Sequence, residues 1–365
     1  MRFAALCWLC RGLAVLPAVG APSGGPTIPV PHPITMLLRA PSVVRELSLS
    51  REQAAVVAGF VEEAESPLWR LRDLPARERD QAAAPILELL RTRLRGVLAS
   101  RQIDRLDQLV LRAQGMRIVL EPPVVDVLKL TNWQQERIRA ILGSSAQNAN
   151  PAEVQRSAQA VLSFSQQRSL ASLHGPPFDL SSVRQVACAA PELDGVTEWI
   201  HSSPLTLRQL RGKVVVVHFY TFGCVNCIHN LPHYNAWFDR FRREDVAIVG
   251  IHRPETERER DIDLVRRKAG EAGIRYPVAV DNEARNWDAW ANPTWPGVYL
   301  IDRNGFIRLW WYGELNWQQA QGESWMRTRI TELIAEPAWN SDGQAKESPG
   351  PSVQNALGPA GELSQ

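Results

Sequence analysis

Two cysteines, Cys224 and Cys227, stand two residues apart in the run VVVVHFYTFGCVNCIHNLPHY, residues 214–234. A C-x-x-C pair is compatible with three chemistries: a dithiol that cycles to a disulfide, half of a metal site, or a structural staple. Zinc needs four ligands, and the available His229 and His233 fall on the same short segment as Cys227, which counts against a metal site. Haem attachment would put a histidine directly after the second cysteine, where Ile228 stands. The flanking pattern favours redox chemistry. An apolar run at 213–220 reads as a buried strand, and a helix from Val225 to Arg243 follows the turn. Unpaired amides and the macrodipole at a helix N-terminus favour a thiolate, drawing a cysteine below its ordinary ~8.5. Cys224, the more exposed, would attack a disulfide, and Cys227, one turn inward, would resolve the mixed disulfide.

The elements around the pair alternate. After the strand at 213–220 and the helix come a strand VAIVGIH (246–252), a charged helix to Gly270, a short strand YPVAV, and a helix EARNWDAWA. A strand GVYLID, a turn DRNG, a strand FIRLWWY and a last helix over 322–335 close the unit. Strand–helix–strand followed by two strands joined through Asn-Gly predicts an α/β fold with a mixed sheet.

The span from Ala190 to Glu336 resembles a thioredoxin-fold domain. It is similar to exported TlpA-like proteins and to the C-terminal domain of DipZ-type proteins, through the runs APELDGVTEWIHSSPLTLRQLRGKVVVVHFYTFGCVNC, VGIHRPE, YPVAVDNEARNWDAWANPTWPGVYLID and GFIR. The resemblance implies a mixed central sheet flanked by helices and a thiol–disulfide oxidoreductase with Cys224 and Cys227 as the catalytic pair. It implies no cofactor beyond that redox-active disulfide. Pro232, eight residues after Cys224, matches the proline inside this helix in thioredoxin-like proteins, and Trp295-Pro296 matches their cis-proline position opposite the cysteines. Tyr220 and Thr221, directly before the turn, and Glu255 in HRPE fall at supporting positions. Where thioredoxins often bury an aspartate six residues before the first cysteine, this chain has His218: a core histidine or a proton relay. The implied partners are protein thiols or disulfides and an upstream redox protein. A thiol peroxidase of the peroxiredoxin type is the enzymatic alternative, since Thr221 stands three residues before Cys224, although Val217 replaces the proline expected seven before it.

Residues 45–174 are helical in pattern and carry an internal repeat, L-[S/T/A]-x-x-Q, at 49–53, 98–102, 130–134 and 162–166. Ser50, Thr131 and Ser163 are placed to cap helices, with Gln53, Gln134 and Gln166 returning the bond; Ala99 has no side chain to cap with. The recurrence resembles the LTxxQ motif of the Spy family of periplasmic helical proteins. It implies an all-α hairpin or bundle, and offers a non-enzymatic chaperone or adaptor as the other alternative.

The remaining organisation follows from composition. Residues 1–21 read as a secretory signal peptide, with Arg11 leaving an uncleaved anchor open, and place the protein in the periplasm or another exported setting. Residues 22–44 read as a Pro/Gly-rich linker, 175–338 as the thioredoxin-like domain after a break at GPPFDLSS, and 339–365 as a disordered tail. The formal charge of +2 on 365 residues argues neither for nor against a charged partner, and arginines interleaved with acids, as in RPETERERDIDLVRRK (253–268), read as a solvated helix face rather than a nucleic-acid surface. No later segment reaches the ~18 apolar residues that span a bilayer. Signal removal would leave three cysteines, too few for a disulfide framework, with Cys188 either a buried thiol or a bond to another chain.

Overall fold

The computed structural model describes residues 32–144, 151–184, 186–241 and 245–336. The signal-peptide and tail readings lie outside the described residues.

The first half is helical: α1 (Pro33–Arg39), α2 (Pro41–Glu46), α3 (Arg51–Arg70), α4 (Ala76–Arg95), α5 (Ser100–Ala113), α6 (Pro122–Leu128), α7 (Asn132–Ser144), α8 (Pro151–Gln159) and α9 (Phe164–His174). The linker expected over 22–44 gives way to structure at its C-terminal end. Ile34, Leu37, Leu38, Ala40 and Val43 are buried in one core with α3, α4 and α5. The prolines that read as breakers, Pro33 and Pro41, each open a helix, where an amide hydrogen has no partner to lose.

The four glutamines of the repeat work in two reciprocal pairs. The side-chain oxygens of Gln53, Gln102, Gln134 and Gln166 accept from the amides of Ser50, Ala99, Thr131 and Ser163. Their amide groups bond each other: Gln53 with Gln102 (3.1 Å) and Gln134 with Gln166 (2.8 Å). Each also donates to a backbone carbonyl beside its counterpart's motif: Val97, Leu47, Val161 and Leu128. The sequence motif is thus both a helix cap and a tie between helix starts.

The second half is an α/β unit: β1 (Cys188–Ala189), β2 (Glu198–Ile200), β3 (Val214–Tyr220), α10 (Val225–Phe241), β4 (Val246–His252), α11 (Ile262–Glu271), β5 (Val278–Val280), α12 (Arg285–Ala289), β6 (Gly297–Ile301), β7 (Phe306–Tyr312) and α13 (Gly322–Ala335). The sheet order is β1-β7-β6-β3-β4-β5-β2. β3, β4 and β5 run parallel, and β6 and β7 antiparallel, giving the expected mixed sheet. Central β3 is buried at every residue, as a strand covered on both faces must be. Val214, Val216 and Tyr220 face a core shared with Cys227, Tyr234, Trp237, Met326 and Ile330 of α10 and α13. Val215, Val217 and Phe219 face a second core with Trp290, Tyr299 and Trp310.

That second core receives a residue from the helical half. Trp69, at the end of α3, is 5% exposed and meets Trp310 edge-on at 4.7 Å between ring centroids. Glu65, one turn earlier, is buried, forms a two-pronged ion pair with Arg39 (2.8 and 2.7 Å) and accepts from the amide of Ala189 in β1. Cys188 lies here as a buried thiol; burial pushes its pKa well up, and the adjacent Glu65 adds to that.

Candidate active site

β3 ends at Tyr220, and residues 221–224 turn the chain into α10. The register Gly297↔Phe219 carries Pro296 level with Tyr220, at the root of that turn. The Trp295-Pro296 peptide is cis. Trp295, Cys224 and Phe222 all pack on the core beneath α10. Sheet register thus brings together a cysteine turn and a proline loop separated by about seventy residues of sequence.

Both cysteines are thiols in this structure. Cys224 is partly exposed and Cys227 is buried at 0%. The amide of Cys227 donates to Cys224 Sγ at 3.3 Å. Burial, followed by the hydrogen bond with Cys224, pushes the Cys227 thiol far above its ordinary range. The two sulfurs therefore differ in chemistry: one accessible and supported by a helix-start amide, the other held protonated behind it.

Residues 186–310 match the AhpC/TSA family. The C-terminal region is a thioredoxin-like domain of that family. Among the relatives of this AhpC/TSA domain, DipZ of Mycobacterium tuberculosis is 38% identical over 128 residues, which make up 34% of this chain and 18% of DipZ. The chain thus spans less than a fifth of that relative's length. The thiol-disulfide oxidoreductase YkuV of Bacillus subtilis is 28% identical over 147 residues, 40% of this chain and 94% of YkuV. A solved thiol-disulfide isomerase of Corynebacterium glutamicum is 26% identical, with a TM-score of 0.35, covering 40% of this chain and 97% of the isomerase.

The supporting residues of the thioredoxin-like domain divide into those near the sulfurs and those beneath them. Tyr220 is buried, its hydroxyl without a hydrogen-bond partner, and burial together with the nearby Cys227 pushes it up beyond the usual phenol range. His218 is fully buried, stacked on Tyr234 at 4.2 Å, and pairs with the Tyr276 hydroxyl at 3.1 Å rather than with either cysteine. Burial brings it down to about 3, so it is neutral at physiological pH. Pro232 sits inside α10 and offers no amide hydrogen to the turn before it. The Glu255 side chain is exposed, yet its charge raises Cys227.

Three features escaped the sequence reading. Glu259 belongs to the charge run at 253–268, yet it is 4% exposed and folds under the cysteine turn. Its carboxylate accepts from the amides of Glu255 (2.6 Å) and Thr256 (3.2 Å) and from the Thr221 hydroxyl. Burial alone would raise its pKa; these hydrogen bonds outweigh that and leave it lowered. Gly223 is required above it, because an added Cβ would run into Glu259 Oε1. His252 is equally buried, lies 3.4 Å from Thr221 Oγ1, stacks on Phe222, and is brought down to about 4 by burial against the pull of Glu259. Thirdly, Arg253 covers Trp287 and Trp295, whose rings lie 4.3 Å apart, making a cationic, aromatic wall beside Pro296. A Thr-x-x-Glu capping signature at 256–259 was the available signal for Glu259; nothing local announces the other two. Among the described residues, no group of three His, Cys, Asp or Glu side chains is arranged to hold a metal ion, and no helix is long and apolar enough to cross a membrane.

Proposed function

We propose that this protein is an exported thiol–disulfide oxidoreductase working through Cys224 and Cys227. The single observation that carries the reading is the asymmetry of the pair: an accessible Cys224 sulfur hydrogen-bonded by the amide of a buried Cys227. In exchange, the Cys224 thiolate attacks one sulfur of a protein disulfide, forming a mixed disulfide and expelling the other sulfur as thiolate. Cys227 gives up its proton and attacks Cys224 Sγ, closing the Cys224–Cys227 disulfide and releasing the second substrate thiol. The substrate gains two electrons and the enzyme loses them, and an upstream dithiol restores the pair; the opposite direction uses the same steps in reverse. Trp295 and Pro296 would border the substrate chain, with Glu255 at the rim and Tyr220, Thr221, His218 and Pro232 shaping the turn and helix from below.

Thr221 argues for exchange over peroxide reduction. It is fully buried, with its hydroxyl turned to His252 and Glu259 rather than to an open pocket. Trapping tests the reading: Cys227→Ser should accumulate Cys224-linked mixed disulfides with envelope proteins, and the double serine variant none. Absence of adducts from Cys227→Ser in cells that express and export it would overturn the proposal.

A further inference from the structure

The last turn of α3 reaches the segment that leads into the Trp295 loop. Arg70 donates to the carbonyl of Asp288 (2.8 Å), Trp69 Nε1 to that of Trp290 (2.7 Å), and Arg72 Nη2 to that of Ala291. These carbonyls lie at the C-terminal end of α12, where a helix leaves acceptors without intrahelical partners. Arg72 also reaches the far end of the loop. Its Nε donates to the Tyr312 hydroxyl at 2.9 Å, and Tyr312 is the β7 residue paired with Gly297. The next residue, Gly313, donates its amide to the carbonyl of Pro296 at 2.8 Å. One guanidinium therefore holds both ends of residues 291–297. Its third branch donates to the carbonyl of Trp69 (3.0 Å), and the group lies 3.9 Å above the Trp69 ring, with the Arg72 side chain only 3% exposed. A planar fork with donors on several edges can do this, whereas the point charge of a lysine cannot.

We propose that Arg72 is a positioning residue for exchange with protein substrates: by tying Ala291 to Tyr312 it fixes the loop on which Trp295 and Pro296 meet the polypeptide around a target disulfide. The helical region thereby sets affinity for protein disulfides without approaching the sulfurs. This rests on the exchange function proposed above. Displacing the loop changes the surface offered to a polypeptide. It leaves the cysteines in place, because α10 and the Glu259 carboxylate hold them independently. A small disulfide that needs only Cys224 is indifferent to the loop.

The test compares the full-length protein with Arg72→Lys and Trp69→Phe on two substrates, a disulfide-bonded polypeptide and bis(2-hydroxyethyl) disulfide, with dithiothreitol as reductant. Arg72→Lys should raise KM for the polypeptide about three- to tenfold, the worth of one net hydrogen bond, with kcat and the small-disulfide rate unchanged. Trp69→Phe, which keeps the ring and loses only the N–H, should shift KM in the same direction and by less. If Arg72→Lys does not fold, as judged by circular dichroism, Trp69→Phe carries the comparison on the same criteria. Equal losses on both substrates, or variants indistinguishable from wild type on both, overturn this proposal alone. A wild-type protein inert toward both substrates overturns the exchange function and this proposal with it.

Discussion

The backbone amide of Cys227 points at the sulfur of Cys224 across 3.3 Å, while the Cys227 side chain is sealed from solvent. One residue thus supports its partner's sulfur through its backbone and withholds its own, and the proposed order of exchange rests on that asymmetry.

Alkylation should read that order. Iodoacetamide should modify Cys224 on the order of tenfold or more faster than Cys227 in the folded protein, since Cys224 is accessible while burial hides Cys227 and keeps its thiol protonated. Peptide mass spectrometry after short exposures checks this. Comparable rates at the two cysteines would contradict the burial and raised pKa of Cys227.

Gly223→Ala drives a Cβ into the Glu259 carboxylate. We expect a loss of about 1–3 kcal/mol, the range for overpacking a filled site, together with slower disulfide exchange, because the carboxylate and the cysteine turn must separate. Urea unfolding and a turnover assay measure the two effects. Unchanged stability would mean that Glu259 does not fill the space beneath the turn.

Acid should weaken the fold through its buried histidines. His218 is brought down to about 3 by burial, while an unfolded histidine titrates near ~6.5. Between those values the unfolded chain binds a proton that the native state refuses, so stability falls as pH drops through that window. His252, held to about 4, adds to the same slope. His218→Phe should lower stability at pH 7, because the Tyr276 hydroxyl loses its partner, yet flatten the decline in melting temperature from pH 6.5 to 4. A decline as steep as in wild type would show that His218 does not carry it.

The glutamine pairs predict coupling. Gln134→Ala and Gln166→Ala should each cost about 1–3 kcal/mol, since each removal strands buried groups. The double variant should fall short of their sum by about 0.5–3 kcal/mol, as contacting residues do. A double-mutant cycle by chemical denaturation gives the number; strict additivity would separate the two motifs energetically.

Much of this was legible in the residues. The runs at 214–220, 246–252 and 306–312 announced their strands because each is apolar or aromatic over a length too great for a loop. β1 and β2 were missed, since two or three residues carry no periodicity and pairing with β7 and β5 alone defines them. The cysteine turn was readable because its chemistry is local. Glu259 was readable only in part: Thr256-x-x-Glu259 signals its bonds to the local amides, but its place beneath the turn at 221–224, where it accepts from the Thr221 hydroxyl, is set by a distant segment. Arg72 was invisible for the same reason: its partners at 291 and 312 lie more than two hundred residues downstream.

The Trp69 ring among Trp310 and Tyr299 bears on autonomy. A family match that begins at residue 186 outlines an evolutionary unit, but the lower side of the sheet borrows a large aromatic from beyond that outline. A fragment cut after His174 would lose that indole, opening to water a hole lined by aromatic faces. The span that inherits together is therefore smaller than the packed unit that completes this aromatic core.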